Sequence, residues 1–288
     1  MKKLKVAIIG GDKRQLYLAK ELHKKGHHCI VYGIMPDRDE GLWERAMTLQ
    51  EAMQKAAYII GPVPFSRNQQ DIYIEGTECI PSISSFLDML DDRHVLFGGM
   101  LTKQIADYCE GKSILIYDFM QMETVSVENA IATAEGSIVE AIKESPCNLH
   151  GSRCLVLGYG RCGKILADKL AGLRSQVTVG ARSSEQLSLA DAYGHKGIPL
   201  GDIANSLHTY DVIFNTIPVK VLTRELLSLV KSEAVIIDIA SKPGGTDFEA
   251  AKDLGICAKL CLGLPGIYAP KTSAQILVKA FLSCISEG

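Results

Sequence analysis

Short apolar runs alternate with amphipathic segments through the first 120 residues of the chain. The apolar runs lie at residues 6–9, 28–32, 58–61, 94–98 and 113–117. The segment from Arg14 to Lys25 has the apolar spacing of a helix, which Gly26 ends. Strands separated by helical segments predict a parallel sheet that is covered on both faces. The first unit is therefore predicted to be Rossmann-like or flavodoxin-like.

An alanine-rich segment from Val127 to Lys143 has the pattern of one long helix, closed by Ser145-Pro146. A helix of this length can bridge two domains. Gly136 lies inside it, where glycine costs helix stability relative to alanine. We therefore expect another group to approach the helix closely at Gly136.

A second series of apolar runs follows this helix. The runs lie at residues 154–157, 176–180, 197–199, 211–215, 234–238 and 256–259. Six strands are the number that a doubly wound domain of strand order 3-2-1-4-5-6 requires. A last helix, from about Lys271 to Ser286, is expected to cross back to the first unit.

The predicted fold class is α/β, with two Rossmann-like, doubly wound parallel-sheet domains joined by the bridging helix. The first domain comprises residues 1–125 together with the C-terminal helix 271–288. The second comprises residues 126–270. A substrate is expected in the cleft between them, where the carboxyl ends of the strands open.

The first strand of the second unit runs directly into Gly158-Tyr159-Gly160-Arg161-Cys162-Gly163 and then into a helical segment. A G-x-G-x-x-G sequence between a strand and a helix is typical of the dinucleotide-binding turn. The first glycine makes the tight turn, the second admits the pyrophosphate, and the third lets helix and strand pack closely. We predict that these six residues bind the cofactor diphosphate. Residues 10–15 lack the full motif, so they are not interpreted as a second cofactor site.

The residues at the end of the next strand indicate which dinucleotide binds. An NAD site usually has Asp or Glu there to bond the ribose 2′-hydroxyl. This chain has Gly180-Ala181-Arg182-Ser183 instead. Arg182 and Ser183 can bind a 2′-phosphate, so NADP is favoured over NAD. The alternative is that Arg182 is a solvated turn residue and the site accepts either cofactor.

Two later strands also end in polar residues. Asn215, Thr216 and Pro218 follow the fourth strand and are candidates for contact with the ribose and nicotinamide. The same residue types favour turns, so a purely structural role is the alternative.

The fifth strand ends in Asp238-Ile239-Ala240-Ser241-Lys242-Pro243-Gly244-Gly245. Lys242 can bind a substrate carboxylate or carry a proton, and Ser241 beside it is a candidate contact of the substrate. An exposed loop lysine without such a role is the equal alternative. Asp238 is expected to cap the loop.

Four further residues are candidates for the substrate site. Thr133 and Glu135 lie on the bridging helix, where Glu135 is a candidate general base or, alternatively, a solvated helical glutamate. Arg14 and Lys271 each begin a predicted helix next to a glycine- or proline-containing loop. Both are candidates for binding a carboxylate.

Composition excludes several classes of partner. The formal net charge is −2, and the basic residues are interspersed with acids, so neither nucleic acid nor an anionic membrane is predicted to bind. The apolar run after the first lysines is too short for a signal peptide, and no run reaches the length of a membrane span. Nine cysteines without C-x-x-C suit reduced thiols in a cytoplasm. Cys257 and Cys261 lack two further nearby ligands, so no zinc site is predicted.

Several of these segments together resemble the family of the dipicolinate synthase A subunit, found in spore-forming bacteria. The segments are residues 8–15, 129–136 with T-A-E-G, 158–163, 240–245 with S-K-P-G-G, 263–266 and 269–272. The resemblance implies an oxidoreductase that converts dihydrodipicolinate into dipicolinate with NADP as hydride acceptor. It also implies that the flavoprotein-like B subunit of dipicolinate synthase is a partner, and that the chain has a role in sporulation in the mother-cell cytoplasm. It assigns no catalytic residue.

The implied chemistry can be matched to the candidate residues. Aromatising a dihydropyridine removes a hydride from one carbon and a proton from another, so the site needs a nicotinamide, a base and cations for two carboxylates. We hypothesise that Lys242 and either Arg14 or Lys271 bind the carboxylates, while Glu135 or a water takes the proton. Two alternatives remain open, another two-domain dehydrogenase for 2-hydroxy acids or alanine, or a nucleotide-binding subunit without its own activity. A homo-oligomer is compatible with the sequence.

Overall fold

The fold of the chain comes from a computed structural model, which describes residues 3–34, 41–77 and 80–287. Contacts divide the described residues into two compact units. The first unit lies within Met1–Ser126 and Ala269–Gly288, and the second unit is Val127–Tyr268.

The first unit contains a six-stranded parallel sheet. Its elements are β1 (Lys5–Ile9), α1 (Lys13–Lys24), β2 (His28–Tyr32), β3 (Glu44–Arg45), α2 (Leu49–Lys55), β4 (Tyr58–Ile60), α3 (Ile83–Leu87), β5 (Val95–Gly98), α4 (Lys103–Gly111) and β6 (Leu115–Asp118). The strand order is β3-β2-β1-β4-β5-β6. This is the Rossmann order 3-2-1-4-5-6, which excludes the flavodoxin-like alternative because that fold has order 2-1-3-4-5.

The bridging helix α5 (Glu123–Glu144) is longer than predicted. It begins four residues before Val127 because Val125 is buried in the core of the first unit, so its first turn forms there. Most of α5 then belongs to the second unit.

The second unit repeats the same architecture. Its further elements are β7 (Arg153–Leu157), α6 (Arg161–Gly172), β8 (Gln176–Ala181), α7 (Ser184–Ala192), β9 (Lys196–Pro199), β10 (Val212–Asn215), α8 (Arg224–Leu227), β11 (Val235–Asp238), α9 (Phe248–Asp253), β12 (Cys257–Leu260) and α10 (Leu264–Tyr268). Its six parallel strands lie in the order β12-β11-β10-β7-β8-β9. Counted from β7, this is again 3-2-1-4-5-6, so the fold class with two Rossmann-like parallel sheets is confirmed.

The central strands of both sheets are buried on both faces, as is usual for parallel sheets. In β7, Cys154 and Val156 pack into one core while Leu155 and Leu157 pack into the other. The last helix, α11 (Pro270–Glu287), packs on the first sheet, where Phe281 contacts Tyr58 and Phe97 edge to face. Within the residues that the structure describes, no helix has both the length and the apolar character to cross a membrane.

Candidate functional site

The glycine turn after β7 needs glycine at two of its positions for steric reasons. Gly158 has a φ of +92°, and a Cβ there would lie 2.4 Å from Thr216 Oγ1. A Cβ on Gly163 would lie 2.1 Å from the backbone oxygen of Gly158. Only glycine therefore permits both the turn and the close packing of α6 against it.

The middle glycine of the motif has a different environment. Gly160 is the N-cap of α6, and a Cβ built on it meets nothing within 4 Å. Gly160 also has no side chain with which to cap the first amides of the helix. A helix N-terminus of this kind, beside open space, fits a phosphate because its N–H groups and dipole favour an anion.

The residues between the glycines lie in three different environments. Tyr159 is buried, and its ring contacts that of His195 edge to face at 6.3 Å between centroids. Cys162 is half-buried, and burial raises the pKa of its thiol. Arg161 is exposed at the first position of α6. Tyr159 thus holds the turn to the core, and contact of the three side chains with a cofactor stays a prediction.

The end of β8 carries an exposed cation. Arg182 follows the last residue of the strand and makes no salt bridge within the described ranges. Ser183 is the N-cap of α7, and its hydroxyl accepts a hydrogen bond from the Gln186 N–H at 3.5 Å. A guanidinium therefore stands where an NAD site has its acid.

The side chains at the end of β10 and just after it form hydrogen bonds mainly with the backbone of the neighbouring turns. The Asn215 side chain is fully buried, donates to the Ile217 carbonyl at 3.0 Å and accepts from the Ile217 N–H at 3.1 Å. The Thr216 hydroxyl donates to the Leu157 carbonyl at 2.9 Å, and Pro218 is exposed. The geometry supports the structural alternative for Asn215, while contact of these residues with the ribose and nicotinamide stays a prediction.

The loop after β11 is organised around one carboxylate. Asp238 is fully buried and accepts from the Ala240 N–H at 3.0 Å, the Gly245 N–H at 2.9 Å and the Thr246 hydroxyl at 2.8 Å. The prediction that Asp238 caps this loop is confirmed. Ser241 and Lys242 are exposed between these anchored ends, and Lys242 has no salt bridge in the part of the chain that is described.

The close approach expected at Gly136 is confirmed, and α10 makes it. A Cβ on Gly136 would lie 2.7 Å from Cδ2 of Tyr268 and 3.0 Å from Cβ of Leu264. Packing against α10 therefore explains the glycine without any ligand.

The neighbouring candidates on α5 have local partners. Glu135 is exposed, with its carboxylate 2.8 Å from Nζ of Lys169 on α6. The Thr133 hydroxyl donates to the Asn129 carbonyl one turn earlier, at 3.0 Å. Glu135 as general base and Thr133 as a substrate ligand stay predictions, and for Glu135 the salt bridge offers a structural role.

The two cationic candidates of the first unit differ in burial. Arg14 is 7% exposed and forms a fork with Asp12, with Nη2 to Oδ2 at 2.7 Å and Nε to Oδ1 at 2.9 Å. Its Nη2 also donates to the Val63 carbonyl. Lys271 is exposed in the first turn of α11. Carboxylate binding by either stays a prediction, and Arg14 already has a carboxylate partner in Asp12.

One charged cluster in the second unit was not found from the sequence. Glu140 on α5 accepts from Lys259 Nζ at 2.5 Å and from the Tyr268 hydroxyl. These bonds, the one from Lys259 foremost, lower the pKa of Glu140 to about 2 and raise the pKa of Lys259. The cluster joins α5 to β12 and α10. Glu140 is more than 100 residues from both partners, so no local pattern could have found it.

Cysteine, histidine and acidic side chains form no metal-binding constellation among the residues described. The eight described cysteines are free thiols. Four of them, Cys29, Cys109, Cys154 and Cys261, are buried.

The strand order of the second unit and its open glycine turn define a dinucleotide-binding chain of the Rossmann class. Residues 123–242 match the family described as D-isomer specific 2-hydroxyacid dehydrogenase, NAD binding domain. Residues 5–120 match the family described as the N-terminal domain of the dipicolinate synthase A subunit. The second unit is therefore a nicotinamide-dinucleotide-binding domain of the dehydrogenase type.

Similarity to individual proteins extends over the full length of the chain. The A subunit of dipicolinate synthase from Bacillus subtilis is 31% identical over 287 residues, which cover 99% of this chain and 96% of that protein. The crystal structure of the same subunit from Bacillus halodurans superposes with a TM-score of 0.91 at 30% identity, covering 99% of this chain and 98% of the other. The corresponding structure from Bacillus subtilis gives 0.87 at 30% identity, covering 100% and 97%. The chain belongs to the family of the dipicolinate synthase A subunit.

Proposed function

We propose that this chain oxidises dihydrodipicolinate to dipicolinate with NADP as hydride acceptor. The observation that carries the proposal is the open turn at residues 158–163 beside the exposed Arg182. The loop bearing Lys242 follows β11 at the same carboxyl edge of the sheet. The family membership supplies the substrate class. The proposal includes the flavoprotein-like B subunit of the synthase as partner and the mother-cell cytoplasm during sporulation as the place of action, both from the same resemblance.

The residues of the second unit fit NADP. The open side of Gly160 and the N-terminus of α6 would hold the diphosphate, and Arg182 with Ser183 would bind the 2′-phosphate. The bound cofactor would supply the hydride acceptor. NAD remains the alternative cofactor if Arg182 stays solvated.

The reaction also requires that the chain bind two carboxylates and remove one proton. Each turnover transfers a hydride from one ring carbon to NADP⁺ and releases a proton from another, which gives NADPH, a proton and the aromatic product. Lys242, exposed and without a salt bridge in the described residues, would bind one carboxylate. Glu135 or a water would take the proton. Thr133, Ser241, Arg14 and Lys271 remain proposed contacts of the substrate.

A coupled assay tests the function. Dihydrodipicolinate is generated from its precursors by the synthase of the lysine pathway, and the formation of NADPH and of dipicolinate is followed by absorbance. We expect both products with NADP and the purified chain. Products that form only when the flavoprotein-like partner is added would favour the alternative of a nucleotide-binding subunit. Reduction of NADP with a 2-hydroxy acid or an amino acid, but not with dihydrodipicolinate, would contradict the proposal.

The role of Lys242 is tested against a matched exposed lysine. Lys242→Met removes the proposed cation, and we expect the KM for dihydrodipicolinate to rise about tenfold or more, since hydrogen bonds to charged groups contribute about 1.5–3 kcal/mol. Lys252→Met removes an exposed lysine from α9 and is expected to leave KM unchanged. Equal KM values for both variants and the wild type would remove Lys242 from the site.

The role of Glu135 needs a control for its salt bridge. A general base contributes about 10²–10⁴ to kcat, so Glu135→Gln should lower kcat by that factor if Glu135 takes the proton. Lys169→Met breaks the same salt bridge but keeps the carboxylate. If both variants have the same kcat as the wild type, the proton goes to water and Glu135 is structural.

A further inference from the structure

The loop between β11 and α9 has two anchored ends and an exposed middle. Near its start, Oδ1 of Asp238 accepts from the Ala240 N–H, and near its end Oδ2 accepts from the Gly245 N–H and the Thr246 hydroxyl. Gly244, Gly245 and Thr246 are buried, whereas Ser241 and Lys242 are exposed. A single buried carboxylate therefore closes the loop and leaves its tip in solvent.

The same loop is joined to the loop that follows β10. The carbonyl of Gly245 accepts from the N–H groups of Val221 and Leu222 at 2.8 and 2.9 Å. A Cβ on Gly245 would lie 2.4 Å from the Ile217 oxygen and 2.5 Å from Nδ2 of Asn215. The two loops thus pack so closely that no methyl group would fit at Gly245. They are hydrogen-bonded to each other at the carboxyl edge of the sheet.

This anchoring determines where the amine of Lys242 can reach. A lysine side chain is long and flexible, so the volume that its amine samples is set by the position of its backbone. The backbone of Lys242 lies between the two anchored ends, and the Gly244 N–H donates to the Ser241 carbonyl at 2.9 Å across the tip. Loss of the contacts to Asp238 would remove the bonds that join the start of this loop to its end.

We propose that Asp238 and Thr246 are positioning residues, which place Lys242 against a carboxylate of the substrate. The inference rests on the proposed function, because it takes Lys242 as the carboxylate ligand. Asp238 is fully buried, and it acts through the hydroxyl of Thr246 and two backbone amides.

The test uses variants of Thr246, since substitution of the buried Asp238 affects three hydrogen bonds at once. Thr246→Val removes the hydroxyl and keeps the shape, and Thr246→Ser keeps the hydroxyl. We expect Thr246→Val to raise the KM for dihydrodipicolinate, and the Kd of dipicolinate measured by calorimetry with NADP present, about fivefold or more. The Kd of NADPH should stay within twofold, and Thr246→Ser should bind dipicolinate like the wild type.

A double-mutant cycle separates positioning from general structural damage. If Thr246 acts through Lys242, Thr246→Val has no further effect on the Kd of dipicolinate once Lys242→Met is present. An equal effect of Thr246→Val in both backgrounds would overturn the inference and leave the proposed function intact. The inference would also be overturned if Lys242→Met raised the Kd of dipicolinate and Thr246→Val left it unchanged. If Lys242→Met itself leaves the Kd of dipicolinate unchanged, Lys242 is not the carboxylate ligand and the inference is wrong. The proposed function is then still tested by NADP-dependent formation of dipicolinate in the coupled assay.

Discussion

Substitution of the third glycine of the turn gives the sharpest test of the dinucleotide site. A Cβ in Gly163→Ala would lie 2.1 Å from the Gly158 oxygen and 3.0 Å from its carbonyl carbon. Real Cβ contacts essentially never fall below 3.0 Å, so α6 must move about 0.9 Å from the turn. Both contacted atoms are backbone, so no side chain can rotate away to relieve the clash.

The magnitude follows from two opposing terms. Overpacking costs about 1–3 kcal/mol, and contact with backbone atoms favours the upper end of that range. Alanine is about 1 kcal/mol better than glycine inside a helix, which offsets part of the cost. We expect a net destabilisation of about 1–2 kcal/mol, which lowers the melting temperature of a unit of this size by about 2–8 °C. Affinity for NADPH should fall about tenfold or more, because the shift moves the first amides of α6 away from the proposed position of the diphosphate.

Two other glycines of the same segment provide matched controls. Gly160→Ala adds a methyl group that meets nothing within 4 Å, at a φ of −85° that alanine accepts. Its melting temperature should therefore be nearly unchanged, while NADPH binding weakens because the methyl lies where the diphosphate must approach. Gly172→Ala, at the last residue of α6, is also open within 4 Å and should alter neither property.

Thermal denaturation and fluorescence titration with NADPH separate these outcomes. Wild-type stability and affinity in Gly163→Ala would refute the steric reasoning for the turn. Wild-type affinity in Gly160→Ala would show that no dinucleotide lies against Gly160.

Three further predictions concern the second unit. Arg182→Ala should raise the Kd of NADPH about tenfold and change that of NADH less than twofold in fluorescence titrations, since only NADPH has the 2′-phosphate. Glu140 has a pKa of about 2 in the folded chain, below its ordinary value of 4.5, so its negative charge stabilises the fold at neutral pH. This stabilisation is lost as the pH falls from 4.5 through about 2. Urea unfolding should therefore show Glu140→Gln less stable than the wild type near neutral pH, with the difference narrowing below pH 4.5; a constant difference would contradict the role of the bond from Lys259. Gly136→Ala should lower the free energy of unfolding by about 1 kcal/mol despite the better helix propensity of alanine, because its methyl would lie 2.7 Å from the Tyr268 ring.

Most strands were predictable because central parallel strands are continuous apolar runs. The predicted run at residues 28–32 coincides with β2, and the others differ from the observed strands by one or two residues at one or both ends. The strand β3 was missed because Glu44–Arg45 is a polar pair at the edge of the sheet. A strand of two polar residues has no hydrophobic signal of its own.

The candidate site was predictable where a motif fixes local geometry. The glycine turn and the capping role of Asp238 follow from residues close together in sequence. The burial of Tyr159 and the bonds of Glu140 depend on packing between distant elements, which the sequence does not display. The pairing of Arg14 with Asp12 lies between these cases, since an acid at an N-cap two residues before an arginine is a local signal for it.

The two sheets have the same strand order, but the N-termini of the helices that follow their glycine turns differ. In the first unit, the N–H of Gly11 donates to the Tyr73 carbonyl at 2.7 Å, and the carbonyl of Gly11 accepts from the Glu75 N–H at 2.9 Å. The N-terminus of α1 is also closed by a capping box of Asp12 and Gln15. The backbone of that turn is thus paired with residues 73–75, and its helix is capped by its own side chains.

In the second unit, the helix after the turn begins at Arg161, and its N-cap Gly160 has no capping side chain and has open space beside it. The first amides of a helix need acceptors, and an anion provides them. We therefore expect the diphosphate at α6, whose N-terminus has no side-chain cap, rather than at α1, which is capped by its own residues.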